Sequence, residues 1–258
     1  MVEWSVAAFR AAASVGAIVV AVPPGSEHGD LRDELKLGRG GVDAVAGRAV
    51  PDEDGIDVVA GGATRAESVS HALELVGTDL VAIHDAARPL VTPELIEETI
   101  ATLVADPDAD GAIAATPVTD TIKQVGAMGE AKEAATPLGC NALSPDKGDK
   151  ALHPPEKKDA RPGCNALSPY EVDKALHRIE LTLDRGRLWA AQTPQVFRVA
   201  ALRAALAADP ERVASATDEA MLVEGAGGRV LIHPAPPENL KVTTPLDLKV
   251  AESLLAAR

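Results

Sequence analysis

The sequence predicts an α/β fold: a Rossmann-like, mostly parallel sheet flanked by helices, with an extended arm. Three observations carry this. Short β-branched apolar runs alternate with stretches of helical periodicity, the pattern of strand–helix units packed into a parallel sheet. The runs are apolar throughout, as in strands covered on both faces. Apolar residues make up 46% of the 258 residues, enough for a sizeable core, and with aromatics at 2% that core falls to Ala, Val and Leu.

The elements follow in order. Val2, Val6, Phe9 and Ala13 recur at helical spacing, and "GAIVVAVPPG" (Gly16 to Gly25) is a buried strand stopped by Pro23-Pro24. Residues 26 to 55 are polar and Gly-rich, with a weak helix over 30–37. "GIDVVAGG" (Gly55 to Gly62) is the second strand, and "TRAESVSHALELV" the helix after it. "LVAIHD" (Leu80 to Asp85) is the third strand. "TPELIEETIATLVA" is a helix capped by Thr92 with Pro93 at its first position. "DGAIAATPV" is the fourth strand. Beyond residue 180, "GRLWAAQTPQVFRVAALRAALA" reads as a short extended piece and a helix, and "SATDEAMLVEGAGG" as a helix starting near Thr217 or Asp218. "RVLIHPA" and "NLKVTTP" read as short strands, and "PLDLKVAESLLAAR" as a closing helix.

Between these regions the regularity breaks. "GCNALSPDKGDKALH" (Gly139 to His153) recurs as "GCNALSPYEVDKALH" (Gly163 to His177), matching at twelve of fifteen positions. Two copies are too few for a solenoid, so the expectation is a tandem-duplicated insertion looping off the surface. It holds both cysteines, Cys140 and Cys164, which lack zinc-ligand spacing. The organisation is therefore an α/β domain over 1–125 and 180–258, and a loop-like arm over 126–179.

A formal charge of −14 argues against a nucleic-acid-binding face and against anionic membranes. It leaves room for a small anionic ligand held by a few local cations. No apolar run reaches about 18 residues and no basic, signal-like segment opens the chain, so a cytoplasmic protein is expected.

In open parallel sheets, ligands bind beyond the carboxyl ends of the strands. Those ends carry Gly61-Gly62, Asp85-Ala86-Ala87-Arg88 and Thr119-Asp120-Thr121. The glycines permit close backbone approach to a base or sugar. Asp85 suits a divalent cation or a ribose hydroxyl, the alanines keep the turn narrow, and Arg88 offers a planar fork to a phosphate. Spacing alone is equally compatible with a plain Asp85–Arg88 salt bridge, a plain turn at Gly61-Gly62, a turn role for Arg185 and a solvated Lys241. His84 faces away from Asp85 and reads as structural.

"GGATRAESV", "HDAARP", "PVTDTIK", "LDRGRLWAAQTPQ", "ATDEA" and "NLKVTTPLDL" occur in this order. Together they resemble the 2-C-methyl-D-erythritol 4-phosphate cytidylyltransferases, over most of residues 1–125 and 180–258. The resemblance implies a fold of the nucleotide-diphospho-sugar transferase type. It implies transfer of CMP from CTP to methylerythritol phosphate, with Mg2+ and release of pyrophosphate. By position it implies cytidine contacts at Gly61, Gly62, Ser68 and Ala86. It implies catalytic roles for Lys241, Asp85 and Arg88, with Asp85 also at the metal. Thr121, Arg185, Thr193 and Thr217 correspond to positions that grip the substrate. It further implies a homodimer, each arm reaching into its neighbour's site. The alternatives are a non-catalytic remnant of the family, or a cytidylyltransferase for another polyol phosphate such as ribitol 5-phosphate.

The chain departs from the family pattern at its start. Met1-Val2-Glu3-Trp4 aligns with the helix that follows the family's first strand and Gly-rich triphosphate loop, neither of which is present. Gly38-Arg39-Gly40-Gly41 is Gly-rich but in the wrong context. The missing strand belongs in the middle of the sheet, where its absence would leave unpaired N–H and C=O groups on both neighbours; the expectation is either a true start upstream of Met1 or a fragment with weak or no activity.

Overall fold

Strong local signals set most element boundaries. The computed structural model describes residues 1–23, 56–126, 178–208 and 210–258. The helix expected over 30–37, the Gly-rich 38–41 and the duplicated segments with Cys140 and Cys164 lie outside the described residues. The chain divides into two units, residues 1–120 with 185–258, and residues 121–184.

In the first unit, α1 (Val2–Ala11) leads into β1 (Ile18–Val22). β2 (Ile56–Ala60) is followed by α2 (Arg65–Leu73), which starts at a capping box. The Thr64 side chain accepts from the Glu67 amide while the Glu67 side chain reaches back to the Thr64 amide. β3 (Leu80–Ile83) precedes α3 (Pro93–Ala105), capped by Thr92 with Pro93 in its first turn as its sequence predicts. β4 (Gly111–Pro117) ends the first stretch.

The second unit pairs β5 (Lys123–Val125) with β6 (Ile179–Thr182) in a two-stranded antiparallel sheet. Ile122, Val125, Ile179 and Leu181 are all exposed on it. The first unit resumes with a 3-10 turn over Arg185–Arg187, then β7 (Trp189–Arg198) and α4 (Val199–Leu206). α5 (Pro210–Ser215), α6 (Glu219–Gly225), β8 (Val230–Pro234) and α7 (Pro245–Ala256) complete it. Among the described residues no helix is long and apolar enough to cross a membrane.

Two sheets form in the first unit. β1 and β2 pair in parallel, Ile18 opposite Ile56 through Val22 opposite Ala60. The second sheet has the order β3-β7-β4-β8. β7 is antiparallel to both neighbours and β4 is parallel to β8, so β3, β4 and β8 run one way and β7 alone runs back. Among the described residues no ladder joins the two sheets.

Two sequence expectations need correction. The segment read as a short extended piece is the ten-residue interior strand β7. Proline lacks an amide donor and normally argues against an interior strand, but Pro194 sits in a bulge. Ile113 pairs with Gln195 and Ala115 with Ala191, so Ala114 alone stands opposite Gln192, Thr193 and Pro194. The Thr193–Pro194 peptide bond is cis. "NLKVTTP" forms no strand. It is held by single bonds to the turn after β3, including Val242 N–H to the Ala87 carbonyl at 2.7 Å.

The core lies on both faces of the four-stranded sheet, because successive strand residues point to opposite sides. Ile113 and Phe197 pack with Leu73, Leu202, Leu222 and Val223 of α2, α4 and α6. Ala114 packs on the other face with Ala8, Phe9, Leu95 and Ile96 of α1 and α3, and Ala112 and Val196 with Leu103. Val6 covers Val22, Ile56 and Val58 of the smaller sheet.

Gly111 tests this packing. A Cβ there would lie 2.5 Å from Cδ1 of the fully buried Phe197. Gly111→Ala is expected to lower stability by about 1–3 kcal/mol through overpacking. Urea unfolding checks this, and an unchanged midpoint would contradict the close approach.

Candidate active site

The site starts at the end of β3. The chain leaves Ile83 and turns sharply, the Arg88 amide donating to the Asp85 carbonyl at 2.9 Å. Ala86 lies exposed at the tip of this turn. The Asp85 side chain, 16% exposed, is placed between cations from separate segments. Its Oδ1 accepts from Nη2 of Arg65 at 3.0 Å. Its Oδ2 lies 3.0 Å from Nζ of Lys241 and 3.9 Å from Nε of Arg88.

Each partner is fixed by its own element. Arg65 is the first residue of α2, placed by the Thr64–Glu67 box, and its Nη1 donates to the buried carboxylate of Glu219 at the start of α6. The start of α6 is in turn tied to β7. The Gln195 amide nitrogen donates to the Asp218 carboxylate, and its oxygen accepts from the Ala220 amide. Lys241 sits on a strap bonded at two points to the 85–88 turn. Arg88 Nη1 donates to the Asn239 carbonyl at 2.8 Å, and the Val242 amide to the Ala87 carbonyl at 2.7 Å. The buried Asn239 side chain donates to the Thr193 carbonyl and the Gln192 side chain, fastening the strap to the β7 bulge.

The bulge supplies a further hold on Asp85. Its backbone amide donates to the Thr193 hydroxyl at 3.1 Å, and that hydroxyl is 2.9 Å from Nδ1 of His84. With the hydroxyl donating to Nδ1, the imidazole proton resides on Nε2, which donates to the Arg88 carbonyl at 3.1 Å. The His84 ring also packs against Phe9, centroids 5.3 Å apart.

Electrostatics follow from this geometry. Partial burial pushes the Asp85 carboxyl up, but Lys241 and Arg65 outweigh it and hold the group below its ordinary range. Burial pushes Glu219 up despite Arg65. Burial lowers Arg88, only partly offset by Asp85. Burial brings His84 down to about 4, so it is neutral at pH 7.

The sequence-predicted residues thus divide. Asp85, Arg88, Lys241 and Thr193 meet in one network. The fork that Arg88 offers to a phosphate is spent here on backbone carbonyls, those of Asn239 at 2.8 Å and Ala191 at 3.5 Å. Thr193 is buried and its hydroxyl serves Asp85 and His84. Gly61 and Gly62 lie in the turn before α2 and pack against Ser68 of that helix. The Gly62 amide donates to the Ser68 hydroxyl at 3.0 Å, and a Cβ on Gly62 would strike Glu67 at 2.2 Å. The close approach at these glycines is therefore to α2 and, at Gly61, also to the Val22 carbonyl of β1. Arg185 is exposed and donates to the Thr119 carbonyl. Thr217 is exposed, its hydroxyl 3.9 Å from the Met221 sulfur. Thr121 belongs to the second unit.

Sequence reading missed Arg65, Glu219 and Asn239. All three lie inside the motifs quoted for the resemblance, and Arg65 and Glu219 each open a helix.

As a divalent-cation site the network offers one carboxylate. No trio of His, Cys, Asp or Glu that could hold a metal ion occurs among the described residues. That carboxylate already meets Arg65 on Oδ1 and Lys241 on Oδ2, so an ion such as Mg2+ would share it with these cations and take its other ligands from phosphate oxygens and water.

Comparison with known proteins gives a consistent answer. The family model for IspD, 2-C-methyl-D-erythritol 4-phosphate cytidylyltransferase, matches residues 1–137 and 169–257. The chain is 33% identical to the 2-C-methyl-D-erythritol 4-phosphate cytidylyltransferase of Bordetella petrii, covering 99% of this chain and 85% of that protein. It is 37% identical to a bifunctional enzyme IspD/IspF of Anaeromyxobacter, over 95% of this chain, but spans only 47% of that longer relative. The crystal structure of 2-C-methyl-D-erythritol 4-phosphate cytidylyltransferase from Thermus thermophilus superposes with a TM-score of 0.60 at 27% identity, covering 98% of this chain and 88% of that one.

The buried His84 gives a pH prediction. Its pKa is lowered in the fold, so the unfolded chain binds the extra proton first. The stability it contributes is complete above about 6.5 and is lost as pH falls toward about 4. Unfolding free energy is expected to drop by about 2 kcal/mol between pH 7 and pH 5. Glu219, raised by burial, titrates with the opposite sign, so the comparison is with His84→Gln. Urea titrations of both proteins should show a shallower slope in the variant; equal slopes would contradict the buried neutral imidazole.

Proposed function

The chain belongs to the 2-C-methyl-D-erythritol 4-phosphate cytidylyltransferase family, and on that premise we propose that it transfers CMP from CTP to 2-C-methyl-D-erythritol 4-phosphate. The reaction releases pyrophosphate and belongs to the nonmevalonate route to isoprenoid precursors, in the cytoplasm. The observation that carries the reading is the Asp85–Lys241 pair, which presents a half-exposed ammonium from a carboxylate held on its other side by Arg65.

A phosphate oxygen of the sugar-alcohol substrate attacks the α-phosphorus of CTP in line. The new P–O bond forms as the bond to the β-bridging oxygen breaks, and pyrophosphate leaves with that electron pair. Such chemistry needs positioning and charge neutralisation more than a covalent nucleophile. Lys241, 46% exposed, is the cation placed to meet the reacting phosphates, and Asp85 keeps its ammonium at the rim. Mg2+, held by Asp85 together with phosphate oxygens, would neutralise charge on the triphosphate. Gly61, Gly62, Ser68 and Ala86 form the cytidine side. Arg185 and Thr217 serve the methylerythritol phosphate, with Thr193 holding Asp85 in place. Arg88 acts by fixing the strap that carries Lys241, its guanidinium being bonded to the Asn239 carbonyl. A homodimer through the arm accounts for the exposed apolar side chains of the paired strands β5 and β6.

The test is pyrophosphate release with CTP, Mg2+ and methylerythritol phosphate. Release is expected, and Lys241→Ala is expected to lower kcat/KM by about 10²–10³-fold, the scale for losing one group that stabilises developing charge. No release by the wild-type protein would overturn the reading. Release only with ribitol 5-phosphate would reassign the substrate.

A further inference from the structure

The Arg65–Glu219 pair lies outside the residues assigned to substrate. Arg65 extends one guanidinium nitrogen to Glu219 and the adjacent one to Asp85. Glu219 is almost fully buried, its side chain 2% exposed, whereas Arg65 is 35% exposed. The guanidinium is thus anchored from behind by a carboxylate that solvent does not reach. A buried carboxylate carries a desolvation penalty unless it is paired, and Arg65 is its partner here.

The division of labour on Asp85 is by oxygen. Arg65 occupies Oδ1 and Lys241 occupies Oδ2. A carboxylate turns freely about its Cβ–Cγ bond unless one oxygen is pinned. Pinning Oδ1 leaves Oδ2 facing Lys241. Charge is also set by the pair. Arg65 bridges Asp85 and Glu219, whereas Arg88 and Lys241 approach Asp85 alone. Removing Glu219 leaves Arg65 with one carboxylate, and removing Arg65 takes away the cation beside the buried Glu219. Both residues open helices whose N-termini are independently fixed, α2 by the Thr64–Glu67 capping box and α6 by Asp218 and Gln195. The link therefore spans two rigid elements.

We propose that Arg65, held by Glu219, is a positioning residue that orients the Asp85 carboxylate and through it the Lys241 ammonium. This rests on the cytidylyltransferase reading of the site. Lysine cannot substitute, because one ammonium cannot reproduce the planar fork that meets two carboxylates at once.

The experiment compares wild type, Arg65→Lys, Glu219→Gln and the double variant in the pyrophosphate assay, with thermal unfolding of each. Each single variant is expected to lose about 10–100-fold in kcat, the usual scale for groups that orient a functional side chain. KM for CTP should change less than about threefold, and the double variant should be no worse than the weaker single, because both break one link. Guanidinium added to Arg65→Ala should restore part of the activity where ammonium does not. A merely structural brace would lower the unfolding midpoint and leave kcat at wild-type level below it; that result would overturn the proposal, as would additive losses. Crystal structures of Arg65→Lys and Glu219→Gln supply a readout independent of turnover. The Asp85 carboxylate is expected to rotate off Lys241, and an unmoved Asp85–Lys241 pair in both would overturn the proposal. If the wild-type protein releases no pyrophosphate, the functional reading fails while the crystallographic comparison still decides this one.

Discussion

One carboxylate organises this end of the molecule. Asp85 gathers Arg65 from the first turn of α2, Arg88 from its own turn and Lys241 from the strap before α7. Three cations at such short range repel one another, and partial burial strengthens the repulsion because screening by water is reduced. Asp85 makes their convergence tolerable, and Glu219 absorbs the second half of Arg65. Losing one member of such a group leaves an unbalanced charge rather than a missing contact, which is why the network matters more than any single pair.

The backbone around Asp85 is arranged to keep it there. The β7 bulge turns Thr193 toward the Asp85 amide, and Asn239 clasps the same bulge through its side chain. Bulges re-aim side chains beside functional sites, and here three residues of β7 stand opposite the single Ala114. Arg88 and the Ala87 carbonyl then tie down the strap on each side of Lys241. Four segments distant in sequence are thereby fixed by hydrogen bonds, while the Lys241 ammonium remains open to an incoming anion. Phosphoryl transfer by positioning needs this combination of rigid support and an exposed charge.

Much of the fold was legible because its local signals agree. Thr92-Pro93 marks the start of α3, and the apolar run Leu80–Ile83 ends at the turn that carries Asp85 and Arg88. Asp85 and Lys241 stood out through the motifs that contain them, and the structure brings them within 3.0 Å. What was not legible is mostly long-range. β7 was underestimated because Pro194 argues against an interior strand, and only the register of β4 reveals the bulge that accommodates it. "NLKVTT" has strand-like composition but finds single hydrogen-bond partners in a turn instead of a ladder. Arg65 and Glu219 are separated by 154 positions, so no spacing rule could pair them. The hydrogen bonds of Arg88 and Thr193 were not legible for a related reason: their polar groups are engaged by backbone and side chains that fold back from far along the chain.

The central claim is that Asp85 neutralises a cluster of converging cations, and it is tested most directly by the unfolding free energy of Asp85→Asn at pH 7. The substitution keeps the shape and removes the charge, leaving Arg65, Arg88 and Lys241 facing a neutral amide. The account predicts a loss of about 2–4 kcal/mol, toward the lower part of the range for breaking buried pairs because Lys241 is half exposed. Unchanged or increased stability would show that the cations tolerate one another without Asp85, and would contradict it.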